Sequence, residues 1–490
     1  MASTNGDDVN AGQINGHANG SGNGAATPPD RKPRPVITVF SGGTAANSLV
    51  DVFNRIVKPR KGRLNYVIPI SDNGGSSSEL IRFVGGPSVG DIRSRLVRLI
   101  PKGDEEMAAL RQFFEHRLTN VDPNKARMEW LDIIESRSVR WAFISSPKKE
   151  LIRSVLNTLN LEIVKRTRPN NVYNFSGASI GNMFLTGARL FSGSFESAIY
   201  LLSMVCSIPP WVAVLPAIRS DHHTYHISAE LMDGSMLTGQ SNISHPSAPS
   251  ALPDDDTEED HSHLPGSLPT LHQQNIAFSK DEEDDLPARI RRLFYINLYG
   301  HELVPKPNSK VVEALKSSTT VIYSIGSLYT SIIPSLVFPA VGEQLESEGG
   351  GIKHKILILN SKLDRETGPV QVPRKERMTA KDFVMAIGRA CVESREKDLK
   401  ESSGGEGKSR VGDESVLRRF VTHLVYLEGR EGEEAEDDDD NMMPKVDVEE
   451  LEGRLGIKCL GVKGVEMKNG KGWRYDEKGL REVLEAIVDS

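Results

Sequence analysis

A chain of 490 residues has room for two or three domains, and 38% hydrophobic with 26% charged residues is the balance of a soluble globular protein with a sizeable core. The formal net charge of -7 and pI near 6.0 give no global attraction to polyanions, so neither nucleic acid nor a membrane surface is expected as a partner. Cys206, Cys391 and Cys459 are widely spaced with no C-x-x-C, which excludes a disulfide framework and a structural zinc, and no apolar run approaches the roughly 18 residues that span a bilayer. The expected location is cytoplasmic.

Residues 1–33 are Gly/Asn/Ser/Ala-rich with almost nothing large and apolar, a composition that cannot offset the entropy of ordering, so this tail is read as disordered. "PVITVFSGGTAANSL" follows: an apolar run reading as a buried strand, Val36 to Phe40, breaks into Ser41-Gly42-Gly43-Thr44 and resumes as a helix. Bare amides at such a turn, with no Cβ on the glycines, are a place for an anion. A second strand, "LNYVIPI" at 64–70, leads into "SDNGGSSSEL". There Asp72 is placed to hold Mg²⁺ or a ribose hydroxyl, and Asn73, Gly74, Gly75, Ser76 and Ser77 can wrap a phosphate, although a flexible turn capped by Asp also fits. "GDIRSRLVRLI" then puts Asp91 at a helix start with Arg93, Arg95 and Arg98 in its first turns, where a bound diphosphate would offset the macrodipole; a solvated basic face is the competing account of Arg95 and Arg98.

Residues 104–165 have apolar positions at helical spacing and no strand signal, and are read as a helical insertion or cap. In "FSGASIGNMFLTGARL", Gly181 allows close backbone approach and Asn182 can read a base or ribose edge. A third strand is expected at 211–215, and Asp233-Gly234 marks a hairpin within 224–242 that adds a small antiparallel element to the sheet. The cluster Asp221, His222, His223 and His226 fits no standard metal spacing and is read as polar residues on a half-exposed strand. Residues 245–288, containing His261 and His263, are read as a disordered acidic insertion, completing an N-terminal half over 34–244.

The C-terminal half, 289–394, has strands at 293–298, 320–325 and 355–359. Two of these exit into chemistry: "GSLYTSIIP" with Gly326, Ser327, Tyr329 and Thr330, and "NSKLDRETG" with Asn360. Residues 395–440 are read as a second disordered, charged insertion, although an apolar run at 420–427 reads as a strand; "SSGGEGKS" at 402–409 lacks the first glycine and the flanking strand of a phosphate-binding loop. Residues 441–490 complete the α/β unit with an amphipathic helix. Alternation of this kind predicts an α/β fold, a Rossmann-like mostly parallel sheet with helices on both faces, whose ligands collect at the C-terminal ends of the strands.

"SGGTAANSL", "ISDNGGSSSEL", "GDIRSRL", "SGASIGNMFLTGA", "GSLYTSIIPSL" and "NSKLDRETG" occur in the order and rough spacing of the superfamily that contains the 2-phospho-L-lactate transferase CofD and the gluconeogenesis factor YvcK, and the chain resembles it over most of its length outside the tail and insertions. The resemblance implies a nucleotide diphosphate or nucleotide-sugar ligand at the sheet edge, held by Ser41–Thr44, Asn73–Ser77, Gly181, Asn182, Gly326, Ser327, Tyr329, Thr330 and Asn360, and association as a homodimer. The transferase branch implies transfer of a phospholactyl-like group from a guanosine diphosphate adduct to a hydroxyl acceptor, with Asp72, Asp91 and Arg93 as the catalytic set and Mg²⁺ on Asp72. The YvcK branch implies a non-catalytic regulator of carbon metabolism that binds a UDP-sugar, its acidic insertions meeting other proteins. Asn73, where the YvcK branch has a second acid, removes one carboxylate from the metal site.

Overall fold

The computed structural model describes residues 34–71, 75–244, 268, 285–347, 350–369, 372–373, 376–403, 413–428, 442–467 and 472–490. Val36–Phe40 forms β1, and it reads as unbroken apolar sequence because both of its faces are covered; its one polar side chain, Thr38, meets the Ser318 hydroxyl at 2.7 Å. The strands that follow are β2 (Arg63–Ile68), β3 (Val212–Pro216), β4 (His226–Leu231), β5 (Met236–Thr238), β6 (Ile290–Ile296), β7 (Glu302–Leu303), β8 (Thr320–Tyr323), β9 (His354–Ile358), β10 (His423–Leu427), β11 (Lys458–Val462), β12 (Gly464–Glu466) and β13 (Trp473–Tyr475). The first half contributes α1 (Val50–Val57), α2 (Gly75–Val84), α3 (Gly90–Arg98), α4 (Glu105–Glu115), α5 (Pro123–Ile134), α6 (Ser146–Arg166), α7 (Ile180–Ser192), α8 (Phe195–Val205) and α9 (Gln240–Ser244). The second contributes α10 (Ser309–Ser317), α11 (Pro339–Glu346), α12 (Ala380–Ser403) and α13 (Glu477–Val488).

The main sheet has 7 strands in the order β11-β10-β9-β8-β1-β2-β3, and every neighbouring pair is parallel. The chain winds outward from β1 through β2 and β3, then returns to the other side of β1 at β8 and winds the opposite way. That reversal between β1 and β8 is the topological switch point, where the loops leaving the two strands part and open a crevice. The last helix, α13, buries Leu480, Leu484 and Ile487, spaced along one face, and packs against α1. Residues 104–166 are helical as their spacing indicates: Asp104 caps α4 by accepting from the Glu106 amide at 2.9 Å, and Asp122 with Pro123 starts α5.

Three expectations need correction. The hairpin around Asp233-Gly234 does form, with Gly234 at φ +86, but it does not extend the parallel sheet. It joins β6 and β7 in a separate 4-stranded antiparallel sheet, order β5-β4-β6-β7, so the run expected at 293–298 belongs there as well. Residues 395–440 are not all insertion, because α12 continues to Ser403 and residues 413–428 supply a short 3-10 turn, Glu414–Arg419, and the interior strand β10. Edge strand β11 went unnamed because Lys458 and Gly461 interrupt its apolar run.

The tail, residues 1–33, lies outside the described residues, as do His261, His263 and the acidic stretches expected to meet protein partners. No helix among the described residues is long and apolar enough to cross a membrane.

Candidate functional site

A cleft of about 460 Å³ opens at the switch point between β1 and β8. One wall is the turn after β1 together with α3. Gly42, Gly43 and Thr44 line it, followed by a 3-10 turn, Ala45–Leu49, before α1 begins. Asp91, Arg93 and Ser94 come from α3.

The glycine pair was expected to bare its amides to an anion; the Gly43 amide is instead engaged by Asp91. A Cβ on Gly43 would lie 2.7 Å from the Asp91 Cα and 2.4 Å from Asp91 Oδ1, and the Gly43 N–H donates to the Asp91 carboxylate. A Cβ on Gly42 would lie 2.5 Å from Ser331 Oγ. Both glycines line the cleft, yet their small size is first required by helix-to-turn packing. Burial raises the Asp91 carboxyl above the ordinary carboxylate range, against the Gly43 amide and the nearby Arg95 and Arg93, which lower it.

Neither Arg95 nor Arg98 lines the cleft, and Arg98 is half-buried. Arg95 is fully buried, donates to the carbonyls of Ala46 at 3.2 Å and Gly42 at 3.0 Å and to Ser41 Oγ at 3.2 Å, and lies 4.4 Å from the Tyr66 ring centroid. Ser41 is thereby committed to the back of the turn. Arg98 donates to the Asn47 carbonyl at 3.1 Å and pairs with Asp51 at 2.9 Å. Arg93 alone of these arginines reaches the cleft, where its Nε donates to Asn182 Oδ1 at 3.2 Å. Gly181 makes that path possible, since a Cβ there would lie 2.7 Å from Arg93 Cγ. Asn182 lines the cleft with Ser77, 3.4 Å apart.

Arg117, which the sequence did not single out, lies on the same cleft and is held by the Gly177 carbonyl at 3.2 Å. Burial and then the like charge of Arg117 lower Arg93 to about 10. Among the described residues two guanidiniums thus share one crevice with one carboxylate, Asp91. Gln240 and Ser244 of α9 are further lining residues that composition did not reveal, because they sit at the edge of the polar stretch from 245 onward.

The opposite wall is the turn after β8. Gly326 has φ +131, a left-handed conformation suited to glycine, and Asn360 clamps its peptide from β9's exit, accepting from Gly326 N–H at 3.0 Å and donating to its carbonyl at 2.8 Å. Asn360 is thus a support for the wall rather than a lining residue. Ser327 and Thr330 line the cleft. Tyr329, expected among the ligand contacts, turns its phenol away and donates to the Ile290 carbonyl at 3.2 Å. Behind this wall the fully buried Glu366 accepts from Thr330 N–H at 3.0 Å and bonds the Thr330 hydroxyl, and Asp364 bonds the Ser327 hydroxyl.

Asp72, Asn73 and Gly74 lie outside the described residues; Gly75 and Ser76 open α2. Among the described residues no group of three or more His, Cys, Asp or Glu could hold a metal ion, and Asp221 is used to accept from the Phe195 amide at 2.8 Å at the start of α8.

The family model described as 2-phospho-L-lactate transferase CofD matches residues 37–458. The chain belongs to the CofD family. This CofD-family protein is 39% identical over 423 residues to uncharacterized protein YNL011C of Saccharomyces cerevisiae, covering 81% of this chain and 90% of the yeast protein. It is 23% identical to the gluconeogenesis factor of Halalkalibacterium halodurans, covering 72% of this chain and 73% of that protein. Its fold resembles the crystal structure of protein BH3568 from Bacillus halodurans, with a TM-score of 0.56 at 18% identity over 92% of this chain and 99% of that one.

Proposed function

We propose that this protein binds a nucleotide diphosphate compound in the switch-point cleft and transfers a phospholactyl-like group from a guanosine diphosphate adduct to a hydroxyl acceptor. The observation that carries this reading is the convergence of Arg93 and Arg117 on one cleft lined otherwise mainly by hydroxyls, amides and glycine, with the Asp91 carboxyl on its wall. Paired guanidiniums that repel each other are stabilised by a polyanion between them, and planar donors match phosphate oxygens. In such a transfer the acceptor oxygen forms a bond to phosphorus as the bond from phosphorus to the bridging oxygen breaks, the nucleoside monophosphate leaves, and the acceptor hydroxyl's proton passes to solvent. The protein's work is to hold both partners in line and to neutralise charge, with Arg93 beside the reacting phosphate. The Asp91 carboxyl with Thr44 and Ser94 beside it on the wall fits the sparse protein donor set that Mg²⁺ takes when phosphates complete its shell. Asp91, with Asp72, would hold that ion, which when bound supplies positive charge to the phosphate oxygens.

The test is calorimetric titration of the full chain with GDP, UDP and UDP-N-acetylglucosamine, each with and without Mg²⁺, followed by phosphorus NMR of a guanosine diphosphate adduct mixed with a hydroxyl acceptor. The reading predicts Mg²⁺-dependent GDP binding, weakened about tenfold or more by Arg93→Met. A UDP-sugar bound without Mg²⁺ and left intact over hours would replace it with the YvcK-type regulator.

A further inference from the structure

Behind the cleft wall formed by Ser327 and Thr330 lies a carboxyl pair that the proposed transfer does not use. Glu366 is 1% exposed, and its carboxyl is spent on the turn Leu328–Ile332: Oε2 accepts from the Thr330 amide, Oε1 shares a hydrogen with the Thr330 hydroxyl, and the Tyr329 amide also donates to the carboxyl. Asp364, two residues away, bonds Ser327, and its Oδ1 is buried with no hydrogen-bond partner. No cation contacts Glu366 among the described residues. The charged groups around it are Asp364 on the same turn, with Lys362 and Arg365 beside Asp364, while Arg289, Arg389 and Asp382 lie beyond Tyr329. The residues of α9, which packs on this turn, carry no ionisable side chain. A buried carboxylate facing another carboxylate, with no cation in contact, is unfavourable, and a shared proton removes the conflict.

The position of that proton decides what Thr330 can offer a ligand. A hydroxyl has one hydrogen. If Glu366 is ionised, Oε1 can only accept, so Thr330 must spend its hydrogen on Glu366 and present lone pairs to the cleft. If Glu366 is neutral, Oε1–H donates to Thr330 Oγ1 and the threonine hydrogen is released to donate elsewhere. We propose, building on the anion-binding reading of the cleft, that Glu366 is a positioning residue that works in its neutral form, setting Thr330 as a hydrogen-bond donor to the bound anion. Burial and then the neighbouring Asp364 raise the Glu366 carboxyl to about 8, so the neutral form dominates near neutrality and anion affinity is linked to a proton.

The experiment uses inorganic sulfate, a tetrahedral dianion that does not itself titrate near neutrality, with the full chain in calorimetry from pH about 7 to about 9. Wild type is expected to lose affinity about tenfold across that interval. Glu366→Gln keeps the neutral pattern, since its amide donates to Thr330 Oγ1 and its carbonyl accepts from the Thr330 amide; it should bind as wild type does at pH about 7 and show a flat profile. In wild type alone, titrations in buffers of differing ionisation enthalpy should show proton uptake on sulfate binding at pH about 8.5, a readout that survives if the variant fails to fold. Sulfate binding whose profile is unchanged by Glu366→Gln, or which takes up no proton in wild type, overturns the positioning role and leaves the anion site standing. Absence of sulfate binding at every pH, together with absence of GDP binding, overturns both.

Discussion

The turn after β1 and the turn after β8 face each other across the cleft, and they are anchored from behind by different chemistry. The first rests on Arg95, a guanidinium that stays charged throughout the working range and reaches the Ser41 hydroxyl and the carbonyls of Gly42 and Ala46. The second rests on groups that can gain or lose a proton, Glu366 and Asp364, with the amide of Asn360 fixing the glycine peptide. One wall is therefore anchored by a permanent charge, while the other is anchored by groups whose donors depend on pH. The arrangement also separates two jobs within α3: Arg95 and Arg98 build the wall from behind, and Arg93 passes through the gap at Gly181 to line the cleft.

The sharpest way to break the fixed wall is Gly43→Val. The added carbons meet the backbone of α3 at Asp91, which cannot rotate aside as a side chain could, so the helix must move. A loss of about 3 kcal/mol is expected, read as a lower urea midpoint. Gly42→Ala is the contrasting control. Its Cβ meets side-chain atoms alone, Ser331 Oγ at 2.5 Å, Ser331 Cβ at 3.0 Å and Asp91 Oδ2 at 3.3 Å, of which the nearest can rotate aside, and a midpoint as low as that of Gly43→Val would refute the assignment of backbone contact to Gly43.

Arg95→Met should cost about 2 kcal/mol by leaving the Gly42 and Ala46 carbonyls unmet in a buried site. Arg95→Lys should recover little, because an ammonium lacks the planar fork that spans these acceptors and the Tyr66 face. Both variants should weaken sulfate binding by a similar factor at every pH. A changed pH profile in either would mean that the two walls are not separately held.

How much of this was legible beforehand follows from the range of the interactions. The parallel sheet was readable because apolar runs such as Val36–Phe40 and His354–Ile358 are buried on both faces and carry their signal locally. Gly42 and Gly43 were readable as positions where a side chain is excluded, but their sequence cannot say what does the excluding. Part of the answer was present in α3: Asp91, Arg95 and Arg98 are spaced i, i+4 and i+7, one helical face, which sets Arg93 apart from Arg95 and Arg98. Arg117 gave no such sign, since its place on the cleft depends on a bridge to Ser179 far along the chain. Thr330 and Glu366 are likewise joined only by tertiary folding, and Tyr329 looked equivalent to its neighbours until the irregular turn Leu328–Ile332 directed its phenol to β6. The strand β10 was partly hidden by the charged composition on either side of it.

The smallest effect lies at the other end of the sheet and separates stability from binding. His354 and His423 begin neighbouring strands, their rings 5.5 Å apart and both nearly buried, remote from the strand exits that form the cleft. Burial, then the neighbouring His354 and Lys458, push His423 down to about 4. In the unfolded chain this imidazole titrates near its ordinary value of about 6.5. As pH falls from about 6.5 towards about 4, the unfolded state takes up a proton that the folded state refuses, so stability declines over that window and is unaffected above it. Glu366 has the opposite sign: its folded value is raised, so its contribution is complete below its ordinary value of 4.5 and is lost as pH rises from there through about 8. His423→Phe should therefore flatten the acid side of the urea-midpoint profile by about 1 kcal/mol while leaving the alkaline side and the sulfate affinity as they are. The Thr422 hydroxyl, which loses its bond to His423 in that variant, keeps its bonds to the Lys355 amide and carbonyl, so the flattening reads the imidazole itself. A variant whose alkaline limb moved as well would show that the histidine pair and the carboxyl pair are coupled through β9, the strand that carries His354 at its start and leads into the Glu366 turn at its end.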